Sequence, residues 1–275
     1  MSDGPAELQG LKQPENLIKN PRVKERADQL LKRLSARVPS LTPEQSSEVL
    51  EFLEEVAMEE EELEAKNTAL QQESDRDPYN PDIYTLQGFH RIMKDKLAEL
   101  ERNNATAVML ALDLDHFKQY NDTAGHTAGN SALSLAGGLM KSAVRPGDVV
   151  ARVHGDEFVV VLMNEDLETG ALVAERVRTA ISSMSTLLET SVPFSVSIGM
   201  AMIEQELIQT NYDSDEEFIT ALTALYDKAD KAHYQGAKHN GKDKIGAILP
   251  DGRVYTAVFH TGPTDQSPVV AFQRV

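Results

Sequence analysis

Between Asp148 and Met163 the chain reads DVVARV, then His-Gly, then DEFVVVLM. Both flanks are rich in β-branched residues, and so short a break leaves them one arrangement, an antiparallel hairpin. Loops this tight need a positive φ, which glycine adopts without strain and histidine tolerates better than most residues. The expected loop is therefore His154-Gly155, with Asp156 and Glu157 opening the second strand on opposite faces. Two acids in that place make either a polar hairpin tip or part of a site.

Around the hairpin, apolar strands alternate with amphipathic helices. TAVMLALDLD and PFSVSIGMAMI read as buried strands. IYTLQGFHRIMKDKLAELERN, GNSALSLAGGLMKSAV, DLETGALVAERVRTAISSM and SDEEFITALTALYDKADKAHYQGAKH read as helices. This interleaving predicts an α/β fold, a sheet covered by helices. RVYTAVFHT and PVVAFQRV in the tail read as one more hairpin. Upstream, Thr42-Pro43 suits a helix N-cap followed by proline at the first helical position. Val49, Val56, Leu63 and Leu70 then recur at heptad spacing, and of the companion positions Leu53, Glu60 and Asn67 only the first is apolar. That is a long helix with an imperfect coiled-coil seam, either pairing with a second copy or packing on its own domain. The resulting organisation is a polar segment over 1–42 with a short helix at 22–34, a long dimerising helix over 43–76, an α/β domain over 77–246, and a hairpin extension over 247–275.

The formal net charge of −17 repels phosphate backbones and anionic lipid, which argues against nucleic acid and membrane partners. A small nucleotide is still acceptable where a divalent cation mediates. The chain has no cysteine, so a disulfide scaffold, a thiolate zinc site and a cysteine nucleophile are excluded. No apolar run approaches the ~20 residues of a membrane span. The N-terminus lacks the basic-then-apolar order of a signal peptide. A cytoplasmic protein is expected.

A second acidic cluster gives the hairpin acids a partner. MLALDLDHFKQYND ends a buried strand with Asp113 and Asp115, which share a face because strand side chains alternate. Strand ends are where α/β proteins place ligands. One of the two acids can serve as a ligand and the other as a structural partner. With this strand beside the hairpin, Asp113 and Asp156 would hold Mg²⁺, which takes one or two carboxylates together with substrate phosphates. That requirement fits nucleotidyl transfer.

DLDHFKQYNDTAGHTAGNSAL and RPGDVVARVHGDEF, followed by SVSIGMA and ADKAHYQGAKHNGKDKI, resemble in order the GGDEF family of diguanylate cyclases, over about residues 77 to 246. The resemblance implies a mostly antiparallel central sheet flanked by helices. It also implies Mg²⁺ (or Mn²⁺) and a homodimer that joins two GTP molecules into cyclic di-GMP, with the preceding helix controlling the pairing. By position, Asp113 and Asp156 match the metal carboxylates, and the carbonyl of Leu114 also faces the metal. Glu157 matches an acid that binds metal or activates the 3′-hydroxyl. Lys118 matches a phosphate-contacting lysine, Asn121 the asparagine that reads guanine, and Lys238 and Lys242 the late phosphate-binding Lys and Arg. His154 and Gly155 occupy the first signature positions, beside the nucleotide. Arg145 and Asp148 match the RxxD inhibitory site, where cyclic di-GMP binds.

The chain departs from the family pattern in particular places. His154 stands where the family has glycine. Asn130 replaces an aspartate that accepts from guanine, which implies weaker discrimination against adenine and some cyclic GMP-AMP. Lys242 replaces an arginine and loses its bidentate fork. YQGAK carries one residue more than the family spacing, which predicts Lys238 rotated away from the phosphates. The family's entry motif survives loosely as DPYN…TLQGF. Three readings follow: a working cyclase, a degenerate domain that binds cyclic di-GMP at Arg145 and Asp148 without catalysis, and a purely structural dimerisation module. The complete acid set favours the first.

Overall fold

The computed structural model describes residues 29, 43–238, 241–261 and 268–275. Apart from Gln29, the polar segment over 1–42 and the short helix expected at 22–34 lie outside the described residues. The chain divides into two compact units, 1–72 and 73–275. Helix α1 (Pro43–Ser74) makes up the described part of the first beyond Gln29 and ends two residues past the boundary. Along its seam Val49 and Val56 are half-buried, whereas Leu63 and Leu70 are exposed, as are Phe52 and Met58 elsewhere on the helix.

The second unit is built from β1 (Tyr84–Thr85), α2 (Leu86–Asn103), β2 (Ala107–Asp115), α3 (Phe117–Ala124), α4 (His126–Ala143), β3 (Val149–His154), β4 (Glu157–Met163), α5 (Leu167–Ser182), α6 (Met184–Leu187), β5 (Ser195–Ile203), α7 (Gln205–Gln209), α8 (Asp215–Ala232), β6 (Ile245–Ile248), β7 (Val254–Thr261) and β8 (Pro268–Arg274). The strands form one eight-stranded sheet in the order β1-β3-β4-β2-β5-β6-β7-β8. Only β1–β3 and β5–β6 pair in parallel; every other neighbour is antiparallel. This is the expected α/β fold, with a mostly antiparallel sheet flanked by helices.

Each strand residue of β2 chooses a layer by parity. Val108, Leu110, Leu112 and Leu114 pack with residues of α4 and α5, while Ala107, Met109 and Ala111 pack with residues of α2 and α8. Asp113 and Asp115 continue the second set, so both acids belong to the α2/α8 face. Neighbouring β4 follows the same rule, and its first residue Glu157 pairs directly with Asp113.

Two local expectations need correction. The hairpin loop is Gly155-Asp156, not His154-Gly155. His154 pairs with Glu157 after a bulge at Arg152/His154, so histidine closes β3 and Asp156 sits in the turn rather than in β4. Gly155 carries the positive φ, +53°, and His154 escapes it. The helix expected from Ile83 starts at Leu86, because Tyr84 and Thr85 extend alongside β3 and Thr85 caps α2 by accepting from the Gly88 N–H. The tail hairpin is present as β7 and β8, and because β6 pairs with β7 it continues the same sheet.

α8 ends against β5 and β6 with only backbone between them. A Cβ on Gly199 would overlap the Ala229 carbonyl and the His233 amide, and one on Gly246 would overlap the Ala232 carbonyl. Beyond Ala232 the helix widens into a π turn, His233–Ala237, with Gly236 stacked on Gly246. Gly199→Ala therefore forces two backbone segments apart and should cost about 3 kcal/mol of unfolding free energy. Gly147→Ala, at a glycine with open space around it, should stay within about 0.5 kcal/mol of the parent. Equal denaturant midpoints for the two variants would show that the close approach is not a constraint.

Candidate active site

The acids assemble at the C-terminal end of β2. Asp113 faces Glu157 across the β2–β4 pair, and Asp156 lies in the adjoining turn. The Asp156 carbonyl accepts from the Leu114 N–H at 3.2 Å, which fastens the hairpin tip to the end of β2. Burial raises the pKa of Asp156 above the usual carboxylate range, and the charge of Asp113 adds to the effect. Glu157 is raised for the same reasons, burial first, then Asp113, Asp230 and Asp156. Tyr226, half-buried beside them, has its phenol pushed upward by burial and by Glu157. The cluster carries more negative charge than its surroundings neutralise.

Lys238 supplies part of the missing positive charge. Its Nζ donates to Asp113 Oδ2 at 2.7 Å. The extra residue before Lys238 thus has a different consequence from the rotation expected of it. The π turn takes up the added residue within the helix, and Lys238 arrives over the acids. Asp113, Glu157, Asp230, His233, Tyr234 and Lys238 line a cavity of about 200 Å³. His233 Nδ1 lies 3.2 Å from Asp230 Oδ1, and its buried Nε2 has no hydrogen-bond partner among the described residues.

Asp115 has a different job from Asp113. It is buried, accepts from the Ser195 and Ser197 hydroxyls at 2.8 and 3.1 Å, and accepts from the Asp243 N–H at 3.2 Å. Gly241, Lys242 and Asp243 all have positive φ, an unfavourable run for the last two. Asp115 holds that run in place, and the Lys242 ammonium lies 4.0 Å from its carboxylate. The Asp243 carboxylate is fixed from the other side by Arg178 at 2.8 Å. Ser195, Ser197 and Arg178 were not singled out in the sequence. The alternation SVSIG placed both serines on one face, but nothing in it named Asp115 as their acceptor.

α3 follows β2 at once because His116 takes a left-handed conformation, φ +64°. That turn sets Lys118, exposed, and Asn121, half-buried, on a helix starting at the strand's end. The Asn121 side chain lies over Gly129, where any Cβ would overlap its Oδ1. Asn130 is the next residue of α4. Asn121 Oδ1 is buried without a hydrogen-bond partner among the described residues, an acceptor waiting for a donor.

The structure does not bring all the expected residues together. His154 and Gly155 line a separate cleft of about 330 Å³ with Asp77, Thr85, Gln87 and Arg152, and none of the three acids borders it. Arg152 braces the hairpin there, donating to Asp77 Oδ2 at 2.7 Å and to the Gly155 carbonyl at 3.3 Å. Arg145 and Asp148 lie at the other end of β3. Asp148 is buried, and both its oxygens accept from backbone, Oδ2 from the Arg145 N–H and Oδ1 from the Met163 N–H. Asp148 shapes the turn, and Arg145 is the exposed arm.

The donors at the acid cluster suit a hard divalent cation. They are carboxylate oxygens with uncompensated negative charge, and a lysine ammonium rests on one of them. Among the described residues no three histidine or acidic side chains close into a metal cage. An ion that completes its shell with water and phosphate oxygens needs only one or two carboxylates, which Asp113 and Asp156 would provide.

A family model described as "Diguanylate cyclase, GGDEF domain" matches residues 82–244. The chain is 31% identical over 153 residues to diguanylate cyclase DgcP of Pseudomonas aeruginosa, covering 56% of this chain and 21% of that protein. It is 33% identical over 141 residues to diguanylate cyclase A of Treponema denticola, covering 51% of this chain and 34% of that protein. The chain thus spans about a fifth to a third of these relatives' length. Among solved structures, the coiled coil and GGDEF domain of DgcB from Caulobacter crescentus, in complex with c-di-GMP, aligns with TM-score 0.55 at 23% identity, over 71% of this chain and 96% of that one. Diguanylate cyclase SiaD of P. aeruginosa, with its activator SiaC, aligns with TM-score 0.50 at 24% identity over 85% of each chain. At these identities the structures speak for the fold. The family match spans β1 to β5, the acids and Lys118, Lys238 and Lys242, and the chain belongs to the GGDEF domain family of diguanylate cyclases.

Proposed function

We propose that this chain condenses two GTP molecules into cyclic di-GMP, one held by each of two copies. The observation that carries the reading is the facing pair Asp113 and Glu157, with Asp156 in the adjoining turn and Lys238 reaching over them. Mg²⁺ (or Mn²⁺), held by Asp113 and Asp156, would supply charge neutralisation at the α-phosphate. Glu157, its basicity raised by burial, accepts the proton of the attacking 3′-hydroxyl. The 3′-oxygen bonds to the α-phosphorus of the other GTP as the bond to pyrophosphate breaks. Repeating the step from the second copy closes the ring.

Lys118, Lys238 and Lys242 hold the phosphates. Lys238 leaves Asp113 when nucleotide and cation arrive, exchanging one anion for another. The orphaned Asn121 Oδ1 accepts from the purine. Asn130 completes the base contact with one acceptor and two donors, where a carboxylate would offer acceptors only. Arg145 is the product's inhibitory contact. The Lys238–Asp113 ion pair also favours a second reading, in which the lysine keeps the ion's place and the domain only binds cyclic di-GMP.

The two readings part on turnover. Asp113→Ala and Glu157→Gln should each lower cyclic dinucleotide formation from GTP and Mg²⁺ by roughly 10²–10⁴-fold. A parent protein with no turnover would leave the binding-only reading. Undiminished product from both variants would remove the acids from the chemistry.

Base reading is tested with equimolar ATP and GTP. The parent should form some cyclic GMP-AMP beside cyclic di-GMP, because a neutral amide penalises adenine by less than the ~1–3 kcal/mol of a buried mismatch. Asn130→Asp should suppress the mixed product and tighten GTP binding. An unchanged product ratio and GTP affinity would show that residue 130 does not read the base.

Pairing of copies is assigned to α1. Val56→Asp with Leu63→Asp places charge in the heptad seam and should give monomers by light scattering, with turnover falling alongside. A dimer that survives the double substitution would assign the seam to contacts within the chain.

A further inference from the structure

Arg145 is not idle. Its Nη1 lies 2.6 Å from Glu165 Oε1, and the two side chains differ sharply in burial: 66% of Arg145 is exposed and 10% of Glu165. Both backbones are fixed. The Asp148 carboxylate accepts from the Arg145 N–H and from the Met163 N–H, two residues before Glu165. The Thr106 hydroxyl donates to the Glu165 carbonyl at 3.1 Å, and the next residue, Asp166, caps α5 by accepting from the Thr169 N–H. One buried carboxylate, Asp148, thus sets the spacing between the arginine and the glutamate that engages it.

From this geometry we infer that Glu165 is a built-in competitor for the inhibitory arginine, setting how much cyclic dinucleotide is needed to occupy the site. The inference rests on the reading of Arg145 as the product contact. A phosphate approaching Arg145 meets a guanidinium already engaged by a carboxylate. Taking Arg145 away leaves Glu165 charged, largely out of water and unpaired, which is costly for a buried ion. Keeping the pair instead leaves the ligand a cation already neutralised. Either route weakens binding of a dianionic dinucleotide, so the site fills only at high product concentration. Asp148, with both oxygens committed to backbone, acts here as a positioning residue.

Calorimetric titration of the full chain with cyclic di-GMP tests this in Glu165→Gln and Glu165→Met, each with a thermal melt. Glutamine keeps the shape without the charge. Methionine fills the space should a buried amide prevent folding. Both should bind on the order of tenfold more tightly than the parent, and Arg145→Ala in either background should abolish the gain. Affinity that stays at the parent value or falls in the folded variants would overturn the inference, the second result marking Glu165 as a support for the arginine. If Arg145→Ala alone binds as tightly as the parent, the reading of Arg145 fails and the inference falls with it. Lost affinity in Arg145→Ala beside no gain at residue 165 sinks the inference alone.

Discussion

The closeness of α8 to β5 and β6 governs the site. Gly199 and Gly246 leave no side chain between helix and sheet, so the helix end rests on strand backbone. From that height the π turn His233–Ala237 delivers Lys238 to Asp113. A helix held off by even one methyl layer would carry the lysine away from the acids. Within this arrangement the added residue of YQGAK is absorbed locally, because a π turn accommodates one extra residue without changing the helix's approach to the sheet.

Charge accounts for the other half of the site. Asp113, Asp156 and Glu157 crowd a partly buried corner, and burial together with mutual repulsion raises the last two above ordinary carboxylates. A folded protein keeps such a cluster only with cations to answer it. Lys238 answers for Asp113, and the remaining negative charge suits a divalent cation, which in the proposed reading would bring the nucleotide phosphates with it. The same economy of charge recurs at Arg145, whose exposed guanidinium is matched to the buried Glu165.

Much of this was legible in the residues. The β-branched runs at 149–163 gave the hairpin, parity along MLALDLD gave the shared face of Asp113 and Asp115, and alternation of strands and helices gave the layers. The turn register was misread by one residue, because His154 and Gly155 both tolerate left-handed backbone and only pairing across the bulge shows which uses it. β1 was missed since two residues, Tyr84 and Thr85, carry no periodicity and extend only because β3 lies beside them. Asp148 reads in sequence as a ligand contact, yet its carboxylate is spent on the N–H groups of Arg145 and Met163, the second fifteen residues further along and brought beside it by the β3–β4 hairpin. Glu165 carried no motif at all; its meaning depends on a tertiary contact. The long heptad helix is present over Pro43–Ser74, with Leu63 and Leu70 exposed along it.

In the proposed mechanism Lys238 exchanges Asp113 for phosphate when the metal corner fills. A crystal structure of the protein with Mn²⁺ and a non-hydrolysable GTP analogue, read with anomalous scattering, tests it. The expected result is manganese bound by the Asp113 and Asp156 carboxylates and the Lys238 ammonium on a phosphate oxygen. Lys238 still on Asp113 beside bound nucleotide, with no anomalous peak at the acids, would contradict it.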